Sequence, residues 1–202
     1  MKKVVMKMCM NFIKKYNPET TDSQLEIVQY GLEGLYLTIT KLIIILLLSY
    51  ILNIWKEVII FLIIYNMIRT TSFGLHATKS WICLLSSTCI FLGVPIICLL
   101  CNFSNYIKLI IGVFNILLMM KNAPADTYKR PIVSKTRRMV YKILSTVLSI
   151  VMVIFSILIP DQFMANCFLF ALVVQNFMIS PTIYRIFKLP YANYKNYEVN
   201  VA

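Results

Sequence analysis

The chain has 202 residues, of which 59% are hydrophobic and only 14% charged, with a mean hydropathy of +0.77. A soluble domain keeps about a quarter of its residues charged, so the composition excludes that class. The 20 Lys+Arg against 8 Asp+Glu give a formal charge of +12, which in a soluble protein would point to nucleic acid. Here the positive charge lies between long apolar runs, as in polytopic membrane proteins, and no nucleic-acid partner is expected.

The first element is amphipathic. Val4, Val5, Met8, Cys9, Phe12 and Ile13 recur at helical spacing, with Lys3, Lys7, Asn11, Lys14 and Lys15 on the other side. Residues 1–20 therefore read as an interfacial helix on an anionic leaflet. They lack the apolar core and small-residue cleavage site of a signal peptide. Pro18 breaks this helix, and Thr21-Asp22-Ser23 offers N-cap oxygens for the next one.

A transmembrane helix needs roughly 20 mostly apolar residues. The runs at 35–53, 55–70, 81–101, 106–120, 140–159 and 163–179 predict an all-α protein of about six spans, the second and fourth being the shortest. Lys41 lies inside the first run, and Gly93-Val94-Pro95 predicts a kink in the third. Residues 21–181 form one transmembrane domain in this reading, and 182–202 a tail. With six spans, 17 of the 20 basic residues fall on the side of the amino terminus, carried by both ends and the loops 69–80 and 121–142. Excess Lys/Arg marks the cytoplasmic side, so both termini and both loops are expected there.

Cys83, Cys89, Cys98, Cys101 and Cys167 fall in apolar runs, and Cys9 lies on the apolar side of the first helix. There they act as small hydrophobes rather than as a disulfide scaffold. Cys98 and Cys101 make one CxxC without partner ligands, so no metal or cofactor is expected.

One constellation carries chemistry. His76 is the only histidine, in the stretch Arg69-Thr70-Thr71-Ser72-Phe73-Gly74-Leu75-His76-Ala77-Thr78-Lys79-Ser80-Trp81-Ile82-Cys83. Taken alone, His76 reads as an interfacial polar residue and Cys83 as a packing residue. The sharper reading is a thiol nucleophile with its general base, near a helix N-terminus that favours the thiolate. One straight helix would hold the two about 10.5 Å apart along its axis. The dyad therefore requires a break between Gly74 and about Ser80, and Gly74 has the backbone freedom to make it.

Arg69…Gly74-Leu75-His76-Ala77…Ser80…Cys83 resembles the catalytic segment of the accessory gene regulator B (AgrB) family, membrane cysteine endopeptidases of bacterial quorum sensing. Ala123-Pro124-Ala125-Asp126-Thr127-Tyr128-Lys129-Arg130-Pro131-Ile132 looks like the family's Ala-Pro-Ala-x-Thr-basic-Pro loop, between the fourth and fifth spans. The hydropathy layout is similar from about residue 25 to residue 180. The resemblance implies cleavage of an AgrD-type precursor peptide with an acidic tail, followed by closure of a thiolactone or lactone ring. By position it implies Cys83 as nucleophile and His76 as base, in a bacterial cell membrane with a cytoplasmic active site. It also implies a homodimer.

Most supporting roles keep two readings. Ser80 caps a helix or orients His76, and Asp126 is the one carboxylate of its loop that could orient the imidazole. Arg69 snorkels to lipid phosphates or organises the active site. Lys121, Lys129, Arg130, Lys135, Arg137, Arg138 and Lys142 anchor the loop at the leaflet or draw in an acidic peptide. A non-catalytic peptide exporter is the competing function, although the paired broken helices and repeats of transporters are not seen. A scaffold or sensor subunit, with His76 and Cys83 incidental, is the third.

Overall fold

The computed structural model describes residues 2–17, 21–74, 80–126 and 132–194, which fall into two units, Met1–Ile51 and Leu52–Ala202. Among the described residues the secondary structure is helical, apart from one isolated bridge. The all-α expectation holds.

The first unit holds α1 (Lys2–Tyr16) packed on α2 (Asp22–Ile51). Met6 and Leu25 are buried, while Met8 and Phe12 are exposed. Thr21 Oγ1 accepts from the Gln24 N–H, and Gln24 Oε1 accepts from the Thr21 N–H. That reciprocal pair is a capping box, and it starts α2 where the Thr21 cap was expected. Leu35, Ile39, Leu42, Ile43 and Leu47 stand exposed along α2, an apolar surface suited to lipid.

The second unit holds α3 (Trp55–Ser72), α4 (Ser80–Leu100), α5 (Asn105–Asn122), α6 (Lys135–Leu158), α7 (Gln162–Ile179) and α8 (Pro181–Ile186). Side-chain oxygens of Ser104, Ser134, Asp161 and Ser180 each accept from a backbone N–H of the first turn of α5, α6, α7 and α8. The spans predicted from hydropathy agree with α2 to α7 within a few residues, except that α2 and α6 start well before the apolar run. Helix α4 carries Pro95 within it.

Four helices are long and apolar enough to cross a membrane by length and composition: Gln24–Ile51, Trp81–Leu100, Lys135–Leu158 and Gln162–Ile179. Helices α3 and α5 have 18 residues each, about 27 Å of rise, and are not among them. Their ends carry Lys56, Glu57 and Arg69 on α3, and Lys121 on α5. The membrane-protein class stands, and the count of six is not reached by this measure.

Helix α7 is the centre of the second unit, packing on α3, α4, α5 and α6. Ala165, Cys167, Leu169, Ala171, Leu172 and Ile179 are fully buried along it. Helix α5 approaches α6 at Gly112, where a Cβ would meet Val153 Cγ1 at 2.6 Å. Small residues permit such close crossings in membranes, and Ser145, Ser149 and Ser156 share the buried side of α6 with Met152 and Val153. Polar groups lie inside. The Asn166 amide donates to the carbonyls of Cys98 and Cys101, and that of Asn176 to Asn115. Leu and Ile side chains of α5 and α6 face outward. Buried amides bonded inside the bundle, with apolar side chains facing outward, suit a lipid surrounding.

Candidate functional site

The segment that carries Arg69 to Gly74 closes α3 in a constrained turn. Ser72 Oγ donates to the Ile68 carbonyl at 2.7 Å, and the Phe73 N–H donates to the Arg69 carbonyl at 3.0 Å. Phe73 then adopts φ 57°, ψ −129°, and Gly74 has φ +119°. For a phenylalanine such a conformation costs on the order of 1–3 kcal/mol and persists only where the surroundings over-determine it. They do so here. The Phe73 ring meets Tyr141 of α6 edge-on at 4.8 Å, and its carbonyl accepts from Gln175 of α7 at 2.7 Å.

Helix α3 ends at Ser72, and Phe73 and Gly74 both have positive φ, so one straight helix does not run from Arg69 to Cys83. The break required for a His76–Cys83 dyad is therefore present, and it starts at Phe73-Gly74. Cys83 lies in α4 (Ser80–Leu100) and is half-buried. Ser86 Oγ donates to the carbonyls of Ile82 and Cys83. His76 lies outside the described residues, as do Lys129 and Arg130, and the side chain of Ser80 is likewise outside the description.

The two sequence segments of the site meet in space. The Gly74 N–H donates to the Ala125 carbonyl, and the Ala125 N–H donates to the Ser72 carbonyl, both at 3.0 Å. This short parallel bridge fastens the 123–126 loop, which has a cis Ala123–Pro124 bond, to the end of α3. Two stretches about fifty residues apart in the chain thus form one substructure.

Arg69 ends α3 half-buried, where a cation suits the helix dipole. Its guanidinium donates to Tyr65 Oη at 2.9 Å and lies 5.8 Å from that ring. Tyr65 in turn packs edge-on against Phe91 of α4, so Arg69 is braced by the α3–α4 contact.

Asp126 is turned towards the carboxyl-terminal segment. It is 3% exposed, and its Oδ1 and Oδ2 accept from the N–H groups of Asn193 (3.1 Å) and Tyr194 (2.8 Å). Tyr184 Oη donates to the Asp126 carbonyl at 2.9 Å. Burial pushes its carboxyl above the usual carboxylate range, against the two N–H groups and the nearby Arg138 charge. Its geometry is that of a latch, holding 184–194 on the loop.

The basic residues divide into two kinds. Lys121, Lys135, Arg137 and Lys142 are exposed. Arg138 is built into the fold: its guanidinium donates to the carbonyls of Ile132 and Val133 and stacks 3.8 Å from the Tyr194 ring centroid. Lys135, Arg137 and Arg138 occupy the first turn of α6, where the helix dipole disfavours cations by about 0.3–1 kcal/mol each. Their charge is not there for the helix.

Gln175 and the segment 184–194 lie outside both sequence motifs. The signal for Gln175 was its place in an apolar run, where a polar amide needs partners within the protein. A helical membrane protein whose 123–126 loop is bridged to the end of α3 is thus defined. Residues 6–179 match the family model described as Accessory gene regulator B. The chain belongs to that family, which supports a role in agr quorum sensing. It is 29% identical to a putative AgrB-like protein of Clostridium acetobutylicum, over 85% of this chain and 82% of that protein. It is 30% identical to one of Listeria innocua, over 85% and 84%. It is also 32% identical to the accessory gene regulator protein B of Staphylococcus aureus, over 61% and 68%. No solved structure matches.

Proposed function

We propose that this chain is a membrane-embedded cysteine endopeptidase that removes the carboxyl-terminal tail of an AgrD-type precursor and promotes ring closure of the remaining peptide. One observation carries most of the weight: the Gly74–Ala125 and Ala125–Ser72 hydrogen bonds join both sequence segments of the site. Family membership supplies the reaction class, and Cys83 in α4 supplies a nucleophile.

His76 takes the Cys83 thiol proton, and the thiolate attacks the scissile carbonyl carbon. The C–N bond breaks, His76 returns the proton to the leaving amine, and the tail departs with a new amino terminus. The acyl group stays on Cys83 as a thioester. The precursor's own cysteine thiol then loses its proton to His76 and attacks that thioester, which frees Cys83 and closes the ring. Poor water access at the membrane boundary favours this transfer over hydrolysis.

The exposed cations Lys121, Lys135, Arg137 and Lys142, with Lys129 and Arg130, attract the acidic tail. Arg69 organises the site from the end of α3, and Asp126 holds its loop rather than His76. Six crossings, with α3 and α5 as the shorter two, put both termini and the site in the cytoplasm and follow the charge asymmetry. The working unit is a homodimer in the bacterial cell membrane.

The test is precursor cleavage by protein reconstituted in vesicles. Wild type should release the tail, and Cys83→Ala and His76→Ala should not. Transport of intact precursor without cleavage would instead establish an exporter.

A further inference from the structure

Helix α7 places an amide where the turn before His76 is decided. Gln175 is 0% exposed, and its Nε2 donates to Ser72 Oγ and to the Phe73 carbonyl, each at 2.7 Å. Ser72 Oγ commits its own hydrogen to the Ile68 carbonyl, so towards Gln175 it can only accept. The Phe73 carbonyl can only accept as well. Both Nε2 hydrogens are therefore assigned, and the amide orientation is forced. Gln175 Oε1 is buried and has no hydrogen-bond partner among the described residues. Asn166 Oδ1 and Asn176 Oδ1 on the same helix share that state, so what distinguishes Gln175 is where its two donated bonds go.

One of the amide's two acceptors, the Phe73 carbonyl, belongs to the strained part of the turn, and the other, Ser72 Oγ, ends α3 just before it. Phe73 has φ 57°, and a Cβ on Gly74 would come 3.7 Å from Gln175 Nε2 and 3.3 Å from Ile179 Cγ2. Helix α7 thus both holds the Phe73 carbonyl and walls the path of Gly74. The chain leaving this turn reaches His76 two residues later.

We propose that Gln175 is a positioning residue for the cleavage reaction, fixing the Ser72-Phe73-Gly74 turn so that His76 is delivered to Cys83. The inference rests on the assignment of those two residues made above. It requires an amide at this position. Glutamate is isosteric, but ionised it can only accept, and protonated it has a single hydrogen where the amide donates two. Leucine loses both bonds. Ser72→Ala loses one and leaves the Phe73 bond intact.

Gln175→Leu, Gln175→Glu and Ser72→Ala are compared with wild type, His76→Ala and Cys83→Ala as full chains in vesicles. Three readouts are used: kcat and KM for precursor cleavage, thermal unfolding, and the pH profile of iodoacetamide alkylation at Cys83, followed by mass spectrometry of the peptide that contains it. A displaced catalytic group costs on the order of 100-fold. Gln175→Leu and Gln175→Glu should lose about that much kcat with KM changed less than about threefold, and Ser72→Ala should lose about tenfold or less. An imidazole partner extends thiol reactivity to lower pH. The alkylation profiles of the Gln175 variants should therefore move towards that of His76→Ala, a shift that a purely structural role would not produce. Should Gln175→Leu fail to fold, the isosteric Gln175→Glu carries the same comparison.

Wild-type kcat and a wild-type alkylation profile in a folded Gln175 variant would overturn the proposal while leaving the endopeptidase reading intact. Tail release by Cys83→Ala, or identical profiles for wild type and His76→Ala, would overturn that reading and this proposal together.

Discussion

Replacing Gly74 with alanine adds a single methyl group at the point where α3 gives way to the His76 loop. Gly74 sits at φ +119°, a region that L-residues rarely adopt, and holding alanine there costs about 1–3 kcal/mol. The new Cβ would also lie 3.3 Å from Ile179 Cγ2 and 3.6 Å from the Met178 carbonyl. Ile179 is fully buried, so its methyl has little room to withdraw. We expect a loss of about 2 kcal/mol, or about 30-fold in the equilibrium of this turn. For a chain of this size that corresponds to roughly 4–8 °C in unfolding temperature. Gly93→Ala in α4 is the control: no atom lies within 4 Å of its Cβ position, so removing a helix-interior glycine should be neutral or mildly stabilising. The assay is thermal unfolding of the three proteins in one detergent at fixed concentration, paired with precursor cleavage. If the turn yields instead, the Gly74–Ala125 hydrogen bond is lost, and cleavage should fall more than stability. Gly74→Ala with the unfolding temperature and the cleavage rate of Gly93→Ala would refute the reasoning.

Arg137→Gln should weaken capture of an acidic-tailed precursor, with a loss that shrinks as salt rises, because such attraction is screened beyond about 8 Å at physiological ionic strength. Arg138→Gln should also lower the unfolding temperature, since that guanidinium holds Ile132, Val133 and Tyr194; equal, purely salt-dependent defects would show that the two act alike. For Asp126 the folded state raises the carboxyl pKa, so its contribution is fully present below the unfolded value near 3.8 and fades as pH rises through the raised one. The stability advantage of wild type over Asp126→Asn should thus be largest below the unfolded value near 3.8 and shrink towards neutral pH in unfolding scans; an advantage that grows with pH would reverse the sign. A reporter fused after Ala202 should give a cytoplasmic signal, and an extracellular one would remove a crossing and invert the topology.

The helices were legible because membrane spans write themselves as long apolar runs, and their ends as Ser or Asp caps. Asp161, next to Pro160, caps α7, and Ser180, next to Pro181, caps α8, where the hydropathy changes. The need for a break before Cys83 was also legible, because the rise of a helix does not permit a dyad seven residues apart. The partners of the site were not. Asp126 meets Asn193 and Tyr194 across more than sixty residues, and Gln175 meets Ser72 across a hundred, through bonds that leave no periodic trace. Asp126 read as an orienter because a carboxylate near a lone histidine invites that role, while its oxygens are committed to two backbone N–H groups. Arg137 and Arg138 looked equivalent as neighbours in a basic run, yet one helical step of about 100° sends one outward and the other over an aromatic ring.

Covalent trapping tests the role of Cys83 most directly. Wild-type protein in vesicles is given a precursor whose ring-closing cysteine is alanine, so that the acyl group has no thiol to accept it. Mass spectrometry should find the precursor's amino-terminal part attached to Cys83, with the free tail released in equal amount or the adduct hydrolysing to linear peptide. Attachment at any other residue, or tail release by Cys83→Ala, would contradict a Cys83 thioester.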